Sequence, residues 1–392
     1  VESGYCNSIF VAAMIAQVRA AHPEIIVGGQ DYYHALAPYF MSMTYEDSCD
    51  GMKADDLHIV LADRDHKFIS SWAPSKGATL EAAIVAERWF APNASALRLD
   101  CGKFWIDTIE FTLPDSKVLI KATSIPTDVR IKASTETRGW EQTTLQDVTA
   151  QIGGENKLMI DWQAMVNPRY KRVEQVEESG LGFLQKKAND AKLAIKVCRD
   201  KLIVFDEQQL EEKPAAFTLL YGNMPVQGGA CYRLAGAHFV TQIMDTAQKA
   251  KILAMSAETA NIKSGEWATT DSAGGDGEGG DTEGDKVNYD TDGEENEDGE
   301  GEFRDENLSG NWETTDSLSA LKAKSLLRDK NKKKDQCRLQ LGIGNPLVAA
   351  GQTFNLVGVG QFDGKWFIEC ARHTVGPQYE TELDVRRCLE GY

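Results

Sequence analysis

Paired cysteines are the first thing this sequence lacks. Its eight cysteines, Cys6, Cys49, Cys101, Cys198, Cys231, Cys337, Cys370 and Cys388, are scattered over 392 residues, and none stands in a C-x-x-C pair. That is the usage of a reducing compartment, with each thiol acting as a small hydrophobe. The six histidines are equally dispersed, so no zinc site is expected. Long apolar runs are missing too: nothing reaches the roughly 20 residues of a membrane span, and no membrane insertion is expected. The nearest stretch, Ile9–Ala21, has no Lys or Arg before it. It reads as an amphipathic or buried helix, not as an export signal. There is no P-loop, no G-x-S-x-G, no H-E-x-x-H and no dinucleotide fingerprint. The expected cofactors and metals are therefore none, and the chain does not read as an enzyme.

Charge of one sign is abundant but local. The net charge is −18, yet residues 266–306 carry 17 Asp and Glu against Lys286 and Arg304. That tract alone is −15, and the remaining residues carry only −3. Gly- and acid-rich and nearly free of aliphatic residues, it cannot bury enough apolar surface to offset its ordering entropy. It reads as a solvated insertion. A calcium-responsive loop and a docking tail for a basic partner are the sharper alternatives. The stretch DTDGEENED lacks the spacing of an EF-hand loop.

Elsewhere short β-like runs alternate with turn residues: 57–61, 79–85, 97–99, 103–111 and 117–123. The period changes over 143–190. Leu145, Val148 and Ile152 predict a helix capped by Thr143 or Thr144 and ended by Gly153–Gly154, with a second helix over Glu177–Asn189. LAIKVC and KLIVF then predict a hairpin across Arg199–Asp200, a turn without the usual glycine. β texture returns at FTLLYG, and 238–256 fits strand or helix. SLSALKAKSLLRDKNKKK (317–334) predicts an exposed helix with a basic end. The fold class expected is mainly β with α+β insertions, around a small α/β middle domain.

One hexamer occurs twice in nearly the same letters. Gly102, Lys103, Phe104, Trp105, Ile106 and Asp107 reappear as Gly364, Lys365, Trp366, Phe367, Ile368 and Glu369. Gly-x-Thr-apolar precedes each copy, GATL at 77 and GQTF at 351, and an alternating run follows each, VLIKAT and ETELDVRR. Three elements in the same order predict two copies of one β-barrel rather than two unrelated hairpins. Cys370, His373 and Asp363 lie close together in the second copy, but residues i and i+3 point to opposite faces of a strand. A thiolate–imidazole pair is therefore not expected. Asp63 and Asp65 in DRDH read as a turn; as a glycosidase-like carboxylate pair they have no other support.

Four stretches resemble one family. They are GMKADDLHIVLADRDHKFISSWAPSKGATLEAAI (51–84), TRGWEQTTLQDVTAQIG (137–153), ESGLGFLQKKANDAKLAIKVCRDKLIVF (178–205) and the close from GNPLVAAGQTF through DVRR. Together they resemble the late-control protein D family of contractile-tailed phages, the tail or baseplate hub, which is similar to the hub half of type VI secretion spike proteins. The resemblance covers roughly residues 24–262 and 311–392. It implies two tube-like β-barrels, over 23–135 and over 215–263 with 311–392, flanking a middle domain over 136–214. An N-terminal extension (1–22) and an acidic Gly-rich insertion (264–310) lie outside the pattern. The implied role is structural: a homotrimer whose six barrels match a hexameric tail tube on one side and a trimeric spike protein on the other. Other baseplate proteins are implied partners, with the tape-measure protein a further candidate. The implied location is the virion tail or baseplate, or a tailocin particle, assembled in the host bacterial cytoplasm. No stable nucleic-acid binding is expected, because phosphate binding is driven by Lys and Arg. A cell-wall hydrolase of the baseplate and a calcium-responsive binding protein are the competing functions.

Overall fold

The computed structural model describes residues 18–49, 54–125, 131, 134–198, 200–222, 225, 229–242, 325 and 328–389, with four short strand segments between 249 and 269. The first unit comprises β1 (Ala20–Val27), β2 (Gln30–Asp31), α1 (Tyr33–Leu36), β3 (Phe40–Ser48), β4 (Asp56–Ala62), β5 (Thr79–Glu87), β6 (Leu97–Thr112) and β7 (Lys117–Thr123). Period-2 alternation drives it. Leu57, Ile59 and Leu61 of β4 and Val118, Ile120 and Ala122 of β7 all point into one core. The strands run in the order β1-β5-β6-β7-β4-β3. The helix expected over Ile9–Ala21 does not extend to its end, because Ala20 and Ala21 already pair with Glu87 and Ala86 in β1. The earlier part of that stretch lies outside the described residues.

The middle unit holds β8 (Thr135–Thr144), α2 (Leu145–Glu155), β9 (Met159–Trp162), β10 (Arg169–Ser179), α3 (Gly180–Asp190), β11 (Leu193–Cys198), β12 (Lys201–Asp206) and α4 (Glu207–Glu212). Thr144 caps α2 in a capping box with Asp147. Gly153–Gly154 does not end this helix. Gly153 sits within it because a Cβ there would come 2.2 Å from Ile160 Cδ1, so the glycine permits close packing on β9. The expected start of the second helix is also corrected. Residues 177–179 close β10, and Ser179 caps α3 through the Gly182 amide. The β11–β12 hairpin is as expected, and Asp200 takes the positive φ (59°) that glycine would normally supply.

The second barrel comprises β13 (Phe217–Leu220), β14 (Cys231–Thr241), the segments β15 (Lys249–Lys251), β16 (Ala254–Met255), β17 (Ile262–Lys263) and β18 (Trp267–Thr269), then β19 (Asp335–Leu341), β20 (Thr353–Val357), β21 (Gly364–Val375) and β22 (Tyr379–Arg387). Six of these close on themselves in the order β21-β20-β13-β14-β19-β22-β21. Within 238–256, residues 238–241, 249–251 and 254–255 are strand and none of the described residues is helical; β15 pairs antiparallel with β18 and β16 with β17. The acidic tract from 270 onward lies outside the described residues. The described helical residues of 317–334 are not an exposed face: Ser325, Arg328 and Asn331 are buried against the middle unit. No helix among the described residues is long and apolar enough to cross a membrane.

Lys196 of β11 ties the middle unit to the first barrel. Its Nζ lies 2.5 Å from Asp47 Oδ1 and 2.9 Å from Asp55 Oδ1. Burial pushes the Asp55 carboxyl up and would by itself push Lys196 down, but the two carboxylates hold the amine above its ordinary value. Replacing Lys196 by Met leaves two buried acids facing each other. K196M is expected to cost about 3–5 kcal/mol of stability, read as a lower urea midpoint; an unchanged midpoint would contradict the ion-pair assignment.

Candidate assembly site

The two hexamers occupy equivalent places in the two barrels. In the first, Thr79 stands opposite Trp105, Leu80 opposite Phe104 and Glu81 opposite Lys103. In the second, Thr353 stands opposite Phe367, Phe354 opposite Trp366 and Asn355 opposite Lys365. The amide of Ile106 donates to Ala78 O at 2.9 Å, and that of Ile368 donates to Gln352 O at 3.0 Å. Both copies bulge at the acid: the register against the following strand shifts between Ile106 and Thr108, and between Ile368 and Cys370. Gly102 (φ 101°) and Gly364 (φ 135°) open the copies in a conformation that a side chain resists. Phe104, Ile106, Trp366 and Ile368 fill the barrel cores. Phe367 points the other way, into a cluster with Cys49, Ala194 and Phe205.

Each hexamer lysine reaches the middle unit. Lys103 Nζ lies 3.4 Å from Asp200 Oδ2 and over the Trp105 ring. Lys365 Nζ donates to the carbonyls of Glu211 (2.5 Å) and Lys213 (2.6 Å) at the end of α4. Beside it, Arg386 of β22 is wholly buried. Its Nη2 lies 2.6 Å from Glu211 Oε1 and 3.0 Å from Glu207 Oε2, and its Nε lies 3.1 Å from Glu369 Oε1. Arg328 and Lys332 complete the network on Glu211 and Glu207. Sequence reasoning did not single out these residues. No signal in the alternating run ETELDVRR marks Arg386, which lies on the face opposite Leu383 and Val385 and is buried against α4.

The barrels meet where the second half of β21 pairs with β3. Cys370 stands opposite Ser48, Arg372 opposite Glu46, His373 opposite Tyr45 and Thr374 opposite Thr44. Arg372 Nη2 lies 3.3 Å from Glu46 Oε2, the Thr44 and Thr374 hydroxyls are 3.1 Å apart, and the Tyr45 and His373 rings stack at 6.3 Å. Among the described residues β1 and β3 do not pair with each other. Val375 and Tyr379 of the second barrel instead complete the core of the first. On the far side, the Trp89 indole donates to Gly344 O.

This arrangement does not assemble a nucleophile. Burial raises the Cys370 thiol far above its ordinary range, against Glu46. His373 spends both ring nitrogens elsewhere, Nε2 on Val348 O (3.1 Å) and Nδ1 on Tyr379 Oη (2.9 Å) with Thr381 Oγ1 (3.2 Å). Asp63 accepts from the Phe68 and Ile69 amides, which makes it a turn organiser, whereas Asp65 accepts from Tyr39 Oη at the surface. No group of three or more metal-ligating side chains occurs among the described residues. The first barrel opens at one end into a cavity of about 530 Å³ lined by Ile25, Leu36, Phe68, Trp72 and other apolar groups, with no carboxylate, imidazole or amine in its wall.

A closed six-stranded barrel and an open six-stranded sheet joined to it edge to edge, with an α/β unit tied to both by buried ion pairs, define a double-barrel-like fold. Solved structures of similar fold include two tail proteins and a component of a type VI secretion system. A tail protein from Neisseria meningitidis MC58 superposes with a TM-score of 0.61 at 12% identity, covering 95% of this chain and 98% of that one. The 43 kDa tail protein of prophage MuSo2 from Shewanella oneidensis gives 0.60 at 12%, covering 94% and 98%. An E. coli component of the type VI secretion system, itself structurally similar to phage T4 tail proteins gp27 and gp5, gives 0.50 at 11%, covering 94% and 78%. At this identity the likeness is one of fold. No protein-family model matches the chain, and no curated protein matches it.

Gly364→Ala is expected to cost about 1–3 kcal/mol for the strained φ, and Gly102→Ala a similar amount; thermal melts within a few tenths of a degree of the parent would refute this. His373 gives a pH dependence. Burial lowers its folded pKa to about 4 from an ordinary 6.5, with Asp47 opposing and Tyr45 and Tyr379 neutral neighbours. The neutral ring is the form that folding favours, so its stability is present above the unfolded pKa and is lost as pH falls from 6.5 towards 4. Between about pH 7.5 and about pH 5 this amounts to about 2 kcal/mol. The slope of urea midpoint against pH should flatten in His373→Gln, and an equal slope in parent and variant would count against it.

Proposed function

We propose that this chain is a structural component of a contractile-type tail or baseplate: a hub that assembles as a homotrimer and joins a hexameric tail tube to a trimeric spike. The two barrels are read as copies of one unit, with the twelve hexamer residues setting their shared register and their tether to the middle unit. The observation that carries this reading is the equivalence of five strands of each barrel, β3–β7 and β14 with β19–β22, down to the bulge at Asp107 and at Glu369; the sixth differs, β1 running antiparallel to β5 and β13 parallel to β20. Two equivalent barrels per chain let a threefold assembly present six similar faces, which is what a sixfold tube requires. Neighbours described as tail proteins, one of them from a prophage, at nearly full coverage of both chains, support the reading. Its chemistry is surface complementarity.

The test is the mass of the purified protein in solution, alone and with its spike partner, by light scattering. A trimer, or a monomer that becomes a three-to-three complex with the spike, is expected. A monomer that persists and binds no spike would overturn the hub assignment.

A further inference from the structure

Two strand edges are left without a partner in the described chain, and they are the counterparts of the two edges that meet inside it. β6 pairs with β5 only as far as Trp105, so residues 108–112 have β7 on one side and no described strand on the other. β14 pairs with β13 only over Cys231–Arg233, so from Leu234 onward it has β19 on one side and no described strand on the other. The equivalence of the barrels says what these edges correspond to. Thr108–Thr112 follow the bulge in β6 as Cys370–Thr374 follow it in β21. β14 carries a register shift between Leu234 and Gly236 against Leu341 and Gln340, as β3 does between Phe40 and Ser42 against Leu61 and Val60. Thr44 therefore corresponds to His238, and Tyr45 to Phe239.

Burial follows the same division. Cys370, Ala371, His373, Tyr45, Asp47 and Ser48 are buried in the internal junction. At the corresponding free edges, Glu110, Phe111, Thr112, His238, Val240 and Thr241 are exposed, with Phe111 at 40% and Val240 at 37%. Open edges bearing exposed apolar side chains are normally covered or paired.

We infer that the edge of β6 in one copy pairs with the edge of β14 in the next, repeating the β21–β3 junction between chains. The register is fixed by the internal one: Thr108 opposite Gln242, Ile109 opposite Thr241, Glu110 opposite Val240, Phe111 opposite Phe239 and Thr112 opposite His238. The Phe111–Phe239 pair takes the place of the His373–Tyr45 stack. The contact is head-to-tail, because each copy offers β6 from its first barrel and β14 from its second, and repetition of one such contact closes a ring when its rotation divides a full turn. This inference rests on the hub reading and names the surface by which the copies join.

Disulfide trapping tests it, because opposed Cβ atoms across an antiparallel pair lie about 5 Å apart. The variants are Thr112→Cys and His238→Cys, both at exposed positions, with mass by light scattering measured alongside. Under mild oxidation each single variant alone should stay uncrosslinked, an equal mixture of the two should give dimer only, and the double variant should give dimer and trimer bands. Thr112→Cys with Thr241→Cys, on the opposite face and out of register, should crosslink at least tenfold less. Crosslinking of a single variant with itself would overturn the head-to-tail contact. An oligomer by mass with no Thr112–His238 bond would overturn this junction and leave the hub reading standing. A monomer by mass with no crosslink and no spike binding would overturn both.

Discussion

Sharing β21 between two barrels is the constraint on which the rest of this structure depends. Its first residues pair with β20, its last with β3, and β22 runs along the other side throughout. The bulge at Glu369 makes this possible, since an extra residue bends and twists a strand locally. The strand leaves one barrel wall and enters the space between β3 and β1 of the other. Val375 and Tyr379 then supply apolar surface that the first barrel needs for its own core. The two barrels are therefore parts of one packing arrangement and not beads on a linker.

Charge fixes how the middle unit sits on this pair. Lys196 between Asp47 and Asp55, and Arg386 between Glu207 and Glu211, are buried at its contacts with the first and second barrels. Taking such ions out of water costs several kcal/mol each, so these pairs add little net stability over an apolar contact. They do penalise any other placement of the unit, because a shift would leave a buried charge without its partner. The hexamer lysines act in the same direction with less burial, one on Asp200 and one on the carbonyls that end α4.

Much of the β content was legible because period-2 alternation is strong where one face of a strand is a barrel interior. LHIVL and KVLIKAT are such runs. β3 and β10 were not singled out. FMSMTYEDS buries Asp47 and Ser48 at the barrel junction, and RYKRVEQVEES is mostly polar, so neither carries the apolar rhythm. The helix expected to end at Gly153–Gly154 runs one residue further, to Glu155, and Gly153 serves inside it as a close packing point for Ile160, a contact invisible to propensity. The charged clamp was likewise hidden: Arg386 lies in a run that reads as a solvated strand end, and only the neighbouring α4 turns that position into an interior one.

The sequence by itself determined the mainly β class, the local character of the acidity, the α/β middle unit and the repeated hexamer. These are written in composition, in periodicity and in short-range turn chemistry, each of which acts within a few residues. Tertiary structure alone decided that the two hexamers share one register, that one barrel borrows core residues from the other, and that two strand edges have no partner strand among the described residues. Strand pairing joins residues hundreds of positions apart, such as Thr44 and Thr374. Its register is set by which side chains can be buried together, and no local pattern along the chain encodes that.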